Sequence, residues 1–328
     1  MAHSDSLSII LVNWNSAEFL RKSLHSLYSN ANGMAYEVLV VENASFDACE
    51  HIIQSEFPAI RFIQSEKNLG FARANNIGYS YATGNILLFL NPDTEVLETA
   101  IERMLTCFEL RPDAGVVGPR LLNSDFTVQT SCLRSFPTIL NRFVDCEYFR
   151  GRFPAASLWG NGVLFQECRT PVSVEAISGA CLMIRRDVFE SVGQFSPEYF
   201  MYAEDTDLCY RVQKAGWRNY YVGDATVVHH GGQSSNLQTA SQFSSLMMKE
   251  SLFKYFRLNH GMVQATVYRI AIGTAAILRL TMLWVAGLLP FSALKKLRLT
   301  GARAKWVSIL RWALGLETWV RDYQAKSI

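Results

Sequence analysis

The sequence predicts an α/β fold: a mostly parallel sheet with helices on both faces, followed by a helical C-terminal region. Three observations predict it. Through residue 117, short apolar runs alternate with segments whose apolar residues recur at helical spacing, the pattern of β-α-β units. A polar segment follows each of the clearest runs, where ligands bind in sheets of this kind. Finally, the chain changes character near residue 246: residues 246–328 hold 13 Lys and Arg against 3 Asp and Glu, whereas residues 1–245 hold 18 against 26. An acidic body thus carries a basic, apolar tail.

The elements follow in order. Ser8 to Val12 is an apolar run of the buried-strand kind. Asn15 can cap the next helix with Glu18 three residues on, and Phe19, Leu20, Leu24, Leu27 and Tyr28 supply its stripe. Asn32-Gly33 is a turn signal. Val38 to Val41 is a strand, and Ser45 can cap a helix running through Ser55. Ile60 to Ile63 is a third strand, Phe71 to Tyr81 a small-residue helix closed by Gly84, and Ile86 to Leu90 a fourth strand. A helix is expected from Thr94 to Leu110, with a strand starting at Val116. Residues 123–175 are irregular and Phe-rich. Order returns with a strand at Ala180–Ile184, a helix from Glu204 closed by Gly216, and a strand at Thr226–Val228 that ends in His229-His230.

Composition narrows the function classes. Charged residues are 18% of the 328, below the ~25% typical of soluble domains. The chain is neither disordered nor collagen-like, and its bulk charge is not that of a nucleic-acid binder. Seven scattered cysteines without a C-x-x-C pair argue against a disulfide framework and structural zinc, and for a reducing compartment. Met1 to Asp5 is polar and Leu7 to Val12 is too short for the core of a signal peptide, so none is expected.

The polar segments at the strand ends are Asn13-Trp14-Asn15, Glu42-Asn43 through Asp47, Asn68-Leu69-Gly70 and Asn91-Pro92-Asp93. With SGACLMIRRDVF (178–189), GQFSPEYFMYAEDTDLCYRVQKAGW (193–217) and VVHHGGQS (227–234), they resemble glycosyltransferase family 2. These are inverting nucleotide-sugar transferases with a GT-A fold and a Rossmann-like sheet, and the likeness is to their rhamnosyltransferase-like bacterial branch. The matching segments run in family order from about residue 7 to 235. The chain departs from the family at Glu42, where Asp is usual, at Ala176, where an aromatic is common, and at Pro197-Glu198. Its metal motif, Asn91-Pro92-Asp93, has one carboxylate rather than two, a variant common in that branch.

A sugar nucleotide leaves as a diphosphate, and a divalent cation on its oxygens stabilises the charge that builds. The resemblance implies Mg2+ or Mn2+ held by Asp93 and His229, with His230 the alternative and Asn91 on the ribose or a metal-bound water. Residue types alone also allow Asn91-Pro92-Asp93 to be a turn that caps a helix, and His229 to be an ordinary strand-end histidine. Displacement at C1 needs a base for the acceptor hydroxyl. The resemblance places it at Asp205, with Glu204 orienting it or the acceptor and Gly179 beside the acceptor. Carboxylates are also common at helix starts, and Asp207–Arg211 reads as a structural i,i+4 pair. Glu42 and Asp47 are implied at the uracil or thymine and ribose, with Asn13, Asn15, Asn43 and Asn68 around them. Arg73 is the expected cation near the diphosphate, and Gly70 supplies a backbone turn.

The expected organisation is a catalytic domain over residues 1–240, with a nucleotide-sugar half at 1–122 and an acceptor half at 123–240. A basic, apolar, membrane-associating region follows at 241–328. There, Leu280 to Leu294 is free of charge, and Arg269 and Arg279 interrupt what precedes it. A span needs ~20 apolar residues. Lys295, Lys296, Arg298, Arg303, Lys305, Arg311, Arg321 and Lys326, interleaved with Trp306, Trp312 and Trp319, describe a helix lying on anionic lipid. Packing on the catalytic body or in a homodimer is the other outcome of such composition. The expected activity is transfer from a dTDP- or UDP-sugar, dTDP-rhamnose favoured, to a lipid-linked glycan of cell-surface polysaccharide or O-antigen. The expected place is the cytoplasmic face of the inner membrane, peripheral or monotopic. A non-catalytic, membrane-attached nucleotide-sugar-binding scaffold is the alternative. A nucleotidyltransferase is weaker, lacking a glycine-rich, Lys-containing loop near Val12.

Overall fold

The structure, a computed structural model, describes residues 6–30, 35–145, 150, 152–153, 155–166, 168, 170–231, 240–287 and 293–320. The expected turn at Asn32-Gly33, the end of the motif at 232–234, and Arg321 and Lys326 lie outside the described residues. The strands are β1 (Leu7–Asn13), β2 (Tyr36–Glu42), β3 (Arg61–Gln64), β4 (Ile86–Leu90), β5 (Thr94–Val96), β6 (Ala114–Leu122), β7 (Leu133–Arg134), β8 (Val172–Val174), β9 (Ala176–Ile177), β10 (Cys181–Arg185) and β11 (Arg218–His229). The helices are α1 (Ala17–Asn30), α2 (Cys49–Glu56), α3 (Gly70–Tyr81), α4 (Ala100–Leu110), α5 (Ile139–Phe143), α6 (Arg186–Ser191), α7 (Glu204–Lys214), α8 (Ala240–His260), α9 (Met262–Gly287) and α10 (Ala293–Ala313).

The main sheet runs β3-β2-β1-β4-β10-β6-β11-β5, with β8 also on β11. Ile9, Ile10, Leu11, Leu87, Leu88 and Phe89 are fully buried, as near-continuous apolar strands require when both faces are covered. β1 pairs in parallel with β2 and β4, β2 with β3, and β6 with β11. The second half adds antiparallel strands: β10 between β4 and β6, and β5 and β8 on β11. The sheet is therefore mixed, in a GT-A-like arrangement.

Three local expectations are corrected. Thr94 does not begin a helix: Thr94–Val96 is β5, paired with Val227–His229, and α4 starts at Ala100. β-branched Thr94 and Val96 suit that strand, and their side chains are buried. Asn15 does not cap α1, because its side chain accepts from Phe46 N instead and its own φ is 53°. The Asp47 carboxylate receives the Ala17 N–H at the start of α1. Nor does Ser45 cap α2; it is bonded to Glu42, and Asp47 accepts from Cys49 N at 3.3 Å. The final strand is also longer than Thr226–Val228, running from Arg218 to His229.

The chain divides into two compact units. One comprises residues 1–136, 152–200 and 204–235; the other comprises 137–151, 201–203 and 236–328. In the second, α9 and α10 pack closely enough that a side chain at Gly273 would meet the Ala313 Cβ at 3.1 Å. Trp312, Tyr255 and Tyr268 form its buried aromatic centre. Phe256 stacks on Tyr268 with centroids 4.8 Å apart, and Trp312 Nε1 donates to Glu250 at 2.8 Å.

Candidate active site

The ends of β4 and β11 bring Asn91, Asp93 and His229 together. Antiparallel pairing puts His229 opposite Thr94, one residue past Asp93, and His230 N donates to Asp93 O at 2.9 Å. His229 Nε2 lies 3.3 Å from Asp93 Oδ1 and 3.4 Å from Asn91 Nδ2. Gln129 fixes the tautomer. Its amide nitrogen donates to Asn123 Oδ1 at 3.1 Å and to His229 O at 3.2 Å, so its oxygen faces His229 Nδ1, 2.7 Å away, and accepts that proton. The Nε2 lone pair is then turned to a carboxylate oxygen. Two electron-rich atoms at that distance fit a divalent cation.

His230 is arranged differently. Its two ring nitrogens meet Glu95 Oε1 at 2.7 Å and Ser124 Oγ at 2.8 Å. Of the two adjacent histidines, His229 faces Asp93. Among the described residues no three His, Cys, Asp or Glu side chains are grouped for metal binding. An ion held here would take its remaining ligands from water or substrate.

The second part of the site lies at the N-terminus of α7. Glu204, Asp205 and Asp207 are all buried there. Asp205 Oδ1 accepts from Thr206 N at 2.6 Å and Thr206 Oγ1 at 3.1 Å, and Oδ2 from Gly179 N at 2.9 Å. The Arg134 guanidinium is 3.7 Å from Oδ2. Gly179 is closely packed: a Cβ there would meet the Asp205 Cβ at 3.2 Å and the Phe71 ring at 3.4 Å. Asp207 instead pairs with Arg211 at 2.8 Å, the structural i,i+4 pair expected. Burial, and then the neighbouring Asp205 charge, push the Glu204 carboxyl up to about 8. Its Oε2 is buried without a partner. At neutral pH Glu204 keeps its proton.

One backbone link joins the two parts. Gly179 N holds Asp205, and the next residue, Ala180, accepts Asn91 N at 2.9 Å. The β4–β10 pairing thereby ties the turn that holds Asp205 to the end of β4, from which the chain leads to Asp93.

The third part follows β1 and β2. Asn13 Nδ2 reaches Glu42 Oε2 at 2.7 Å, Ser45 Oγ at 3.0 Å and Asp47 at 3.2 Å. The extra methylene of Glu42 carries its other oxygen to Ser45, where it accepts from N at 2.8 Å and from the hydroxyl. Asn43 bonds Asn68 at 3.0 Å and accepts from Leu69 N at 2.9 Å, and Asn68 accepts from Gly70 N at 2.9 Å. Gly70 has φ 75°, and a Cβ there would lie 2.1 Å from Phe200 O, so no side chain fits. Arg73 Nε donates to Pro197 O at 3.0 Å. The cation beside a site carboxylate is Arg134, from the irregular segment. Sequence reasoning missed Gln129 and Arg134, which lie in the irregular, Phe-rich stretch of residues 123–175. It also missed Phe46, 96% exposed in the loop after β2.

A GT-A-like sheet with polar loops at its strand ends, an Asp–His pair and a buried carboxylate at a helix start is compatible with a glycosyltransferase. The profile of the family described as Glycosyl transferase family 2 matches residues 8–193. The chain belongs to that family. It is 29% identical over 255 residues to the N-acetylglucosaminyl-diphospho-decaprenol L-rhamnosyltransferase of Mycobacterium tuberculosis, covering 74% of this chain and 81% of that protein. It is 26% identical over 233 residues to rhamnosyltransferase WbbL of Escherichia coli, covering 68% and 82%. These relatives place it in the rhamnosyltransferase-like branch. The fold also matches that of the mannosyltransferase PcManGT from Pyrobaculum calidifontis in complex with GDP-Man and Mn2+. That match has a TM-score of 0.57 and 17% identity, and covers 99% of this chain and 85% of that one.

Proposed function

We propose that this glycosyltransferase of polysaccharide biosynthesis transfers rhamnose, with inversion, from a dTDP- or UDP-sugar to a hydroxyl of a lipid-linked glycan. The rhamnosyltransferase relatives support the sugar, and the diphospho-decaprenol acceptor named for the mycobacterial one supports the lipid. Residues 1–240 carry the catalysis, divided near residue 122 into donor and acceptor halves.

The observation that carries this reading is the link from Asp205 through Gly179 and Ala180 to Asn91, Asp93 and His229. Asp93 and His229 would hold Mg2+ or Mn2+, which when bound supplies positive charge for the departing diphosphate. PcManGT binds Mn2+ with its sugar nucleotide, which supports that choice. Asn13, Asn15, Glu42, Asn43, Asp47, Asn68, Gly70 and Asn91 shape the donor pocket, with Phe46 offering a face for the base and Arg73 a cation on its rim. Asp205 takes the acceptor proton, oriented by Thr206, Gly179 and Arg134. Glu204, protonated, orients the acceptor as a hydrogen-bond donor. A base facing the anomeric carbon opposite the leaving group gives inversion in one step.

The C-terminal unit supports attachment to the cytoplasmic face of the inner membrane. α9 is long and apolar enough to cross a membrane, and 22% of its most apolar window is buried within the structure. Val263, Val267, Ile270, Ile277 and Trp284 form an exposed stripe along it, flanked by Leu278, Met282 and Val285. Thr274 and Thr281 lie in the same stripe, and their hydroxyls donate to Ile270 O and Ile277 O at 3.0 Å, four residues back. The two interrupting arginines turn inward: Arg269 Nη2 donates to Trp312 O at 2.6 Å and Arg279 Nη2 to Asp145 O at 3.0 Å. The outer face is therefore free of charge, and a monotopic seat needs no buried cation in lipid.

Asp205→Asn tests the chemistry. It should lower transfer by about 10²–10⁴-fold, the usual worth of a general base, while Mn2+-dependent dTDP binding stays within twofold (about) of wild type. Normal turnover by this variant would remove Asp205 from the role.

A further inference from the structure

Each of four helices or their ends in the C-terminal unit contributes a cation to one place. Arg142 comes from α5, Lys249 from α8, Arg279 from α9 and Lys305 from α10. All four are half-buried rather than splayed into solvent. Asp145, two residues past α5, is the carboxylate beside Arg142 and Lys249. Arg142 Nη1 is 3.9 Å from its carboxylate, and Arg150 binds both oxygens at 2.6 and 2.8 Å. Arg279 donates to the backbone oxygens of Phe143 and Asp145 at 3.1 and 3.0 Å, and its guanidinium lies 4.5 Å from the Trp306 ring centroid, next to Lys305.

The arginines have structural work: Arg279 satisfies carbonyls after α5, and Arg150 neutralises Asp145. Lys249 does not. Among the described residues it makes no ion pair, Asp145 attracts it, and Arg142, Lys305 and Arg279 repel it. Burial first, and then these cations, lower its ammonium to about 8. A leucine or methionine would fill that position without the cost of desolvating a charge. The position makes sense when an anion joins the cations. The anion's attachment is suggested by α9, where exposed Leu278 and Met282 flank Arg279. Clustered cations beside an apolar, charge-free stripe fit an anionic headgroup on a hydrocarbon tail.

We propose that Arg142, Lys249, Arg279 and Lys305 bind the diphosphate of the lipid that carries the acceptor glycan. This inference rests on the lipid-linked acceptor of the proposed function and names the part of that acceptor the C-terminal unit holds. Bulk anionic phospholipid shares the phosphate chemistry, so the test separates the two. Full-length protein is sedimented with phosphatidylcholine vesicles doped either with polyprenyl diphosphate or with phosphatidylglycerol at the same surface charge. Wild type should bind the diphosphate vesicles at least about tenfold more tightly. Lys249→Met and Lys305→Ala should each erase most of that preference, with binding to undoped vesicles unchanged and Lys249→Arg retaining it. Melting curves identify any variant that fails to fold; Lys249→Met removes a half-buried charge and should melt no lower than wild type. Equal binding to both doped vesicles, or a preference surviving in folded Lys249→Met, would overturn the site. Mn2+-dependent dTDP binding is measured in parallel: its loss in wild type would count against the transferase reading and leave the vesicle result to stand or fall alone.

Discussion

The strand-end site and the C-terminal helices bury charge in opposite ways. At the strand ends, Asp93 faces His229, Asp205 accepts from Gly179 and Thr206, and Glu42 accepts from Asn13 and Ser45. Acids dominate, and nearly every oxygen is directed by a neighbour; Glu204 Oε2 is an exception. In the C-terminal unit Arg269 and Arg279 turn inward and donate to backbone carbonyls, and the outward face of α9 is apolar. Under the proposed function the first region would serve a cation and a reacting sugar, and the second an apolar phase. Sorting of this kind explains how a chain of formal charge +2 can hold an acidic body and a basic tail.

The largest expected effect breaks the second region alone. Replacing Val263, Ile270, Ile277 and Trp284 together by Ser removes apolar groups worth about 1.5–3 kcal/mol each when fully buried. Flotation with vesicles should show binding reduced by about a hundredfold or more, while the melting temperature stays within a few degrees because these side chains face outward. Undiminished flotation would assign the stripe to another role. A smaller effect breaks the first region alone. Gln129→Leu leaves His229 free to take the other tautomer, and Mn2+ affinity in the presence of dTDP should fall about 10–100-fold, as for other outer-shell partners. Electron paramagnetic resonance of free Mn2+ reads it directly, and an unchanged affinity would release Gln129 from this role.

The smallest effect sharpens the contrast through pH. The Glu204 carboxyl is raised in the folded state from 4.5 to about 8. Between those values the unfolded chain gives up a proton that the folded chain keeps, so this group costs stability increasingly as pH rises. Glu204→Gln should therefore melt higher than wild type by a margin that grows from pH 4.5 to about 8 and then levels off. A margin independent of pH would mean that Glu204 is ionised throughout.

Much of the first region was legible in the residues. Strand cores such as Ile9-Ile10-Leu11 and Leu87-Leu88-Phe89 announce themselves by apolar content, and the polar positions just after them are where the structure gathers its site. Asn91, Asp93, Asp205 and His229 could be named because each lies in a segment that resembles the family. Thr94–Val96 misled because the residues after a Pro-Asp pair read as a helix start, whereas pairing with β11 decides the matter at long range. Gln129 and Arg134 had no local signal: each meets its partner across a large sequence separation from a segment with no period to read. The inward turn of Arg269 and Arg279 was likewise hidden, because composition gives the number of charges on a helix and not the direction they take.

The central claim is that one cation site and one base serve one sugar. Anomalous diffraction from crystals grown with dTDP and Mn2+ tests it most directly. The account predicts a single strong manganese peak between Asp93 Oδ1 and His229 Nε2, with the nucleotide diphosphate completing the coordination and the Asp205 carboxylate facing the same cavity. Manganese bound elsewhere, or a diphosphate seated with Asp205 closed off from it, would contradict the account.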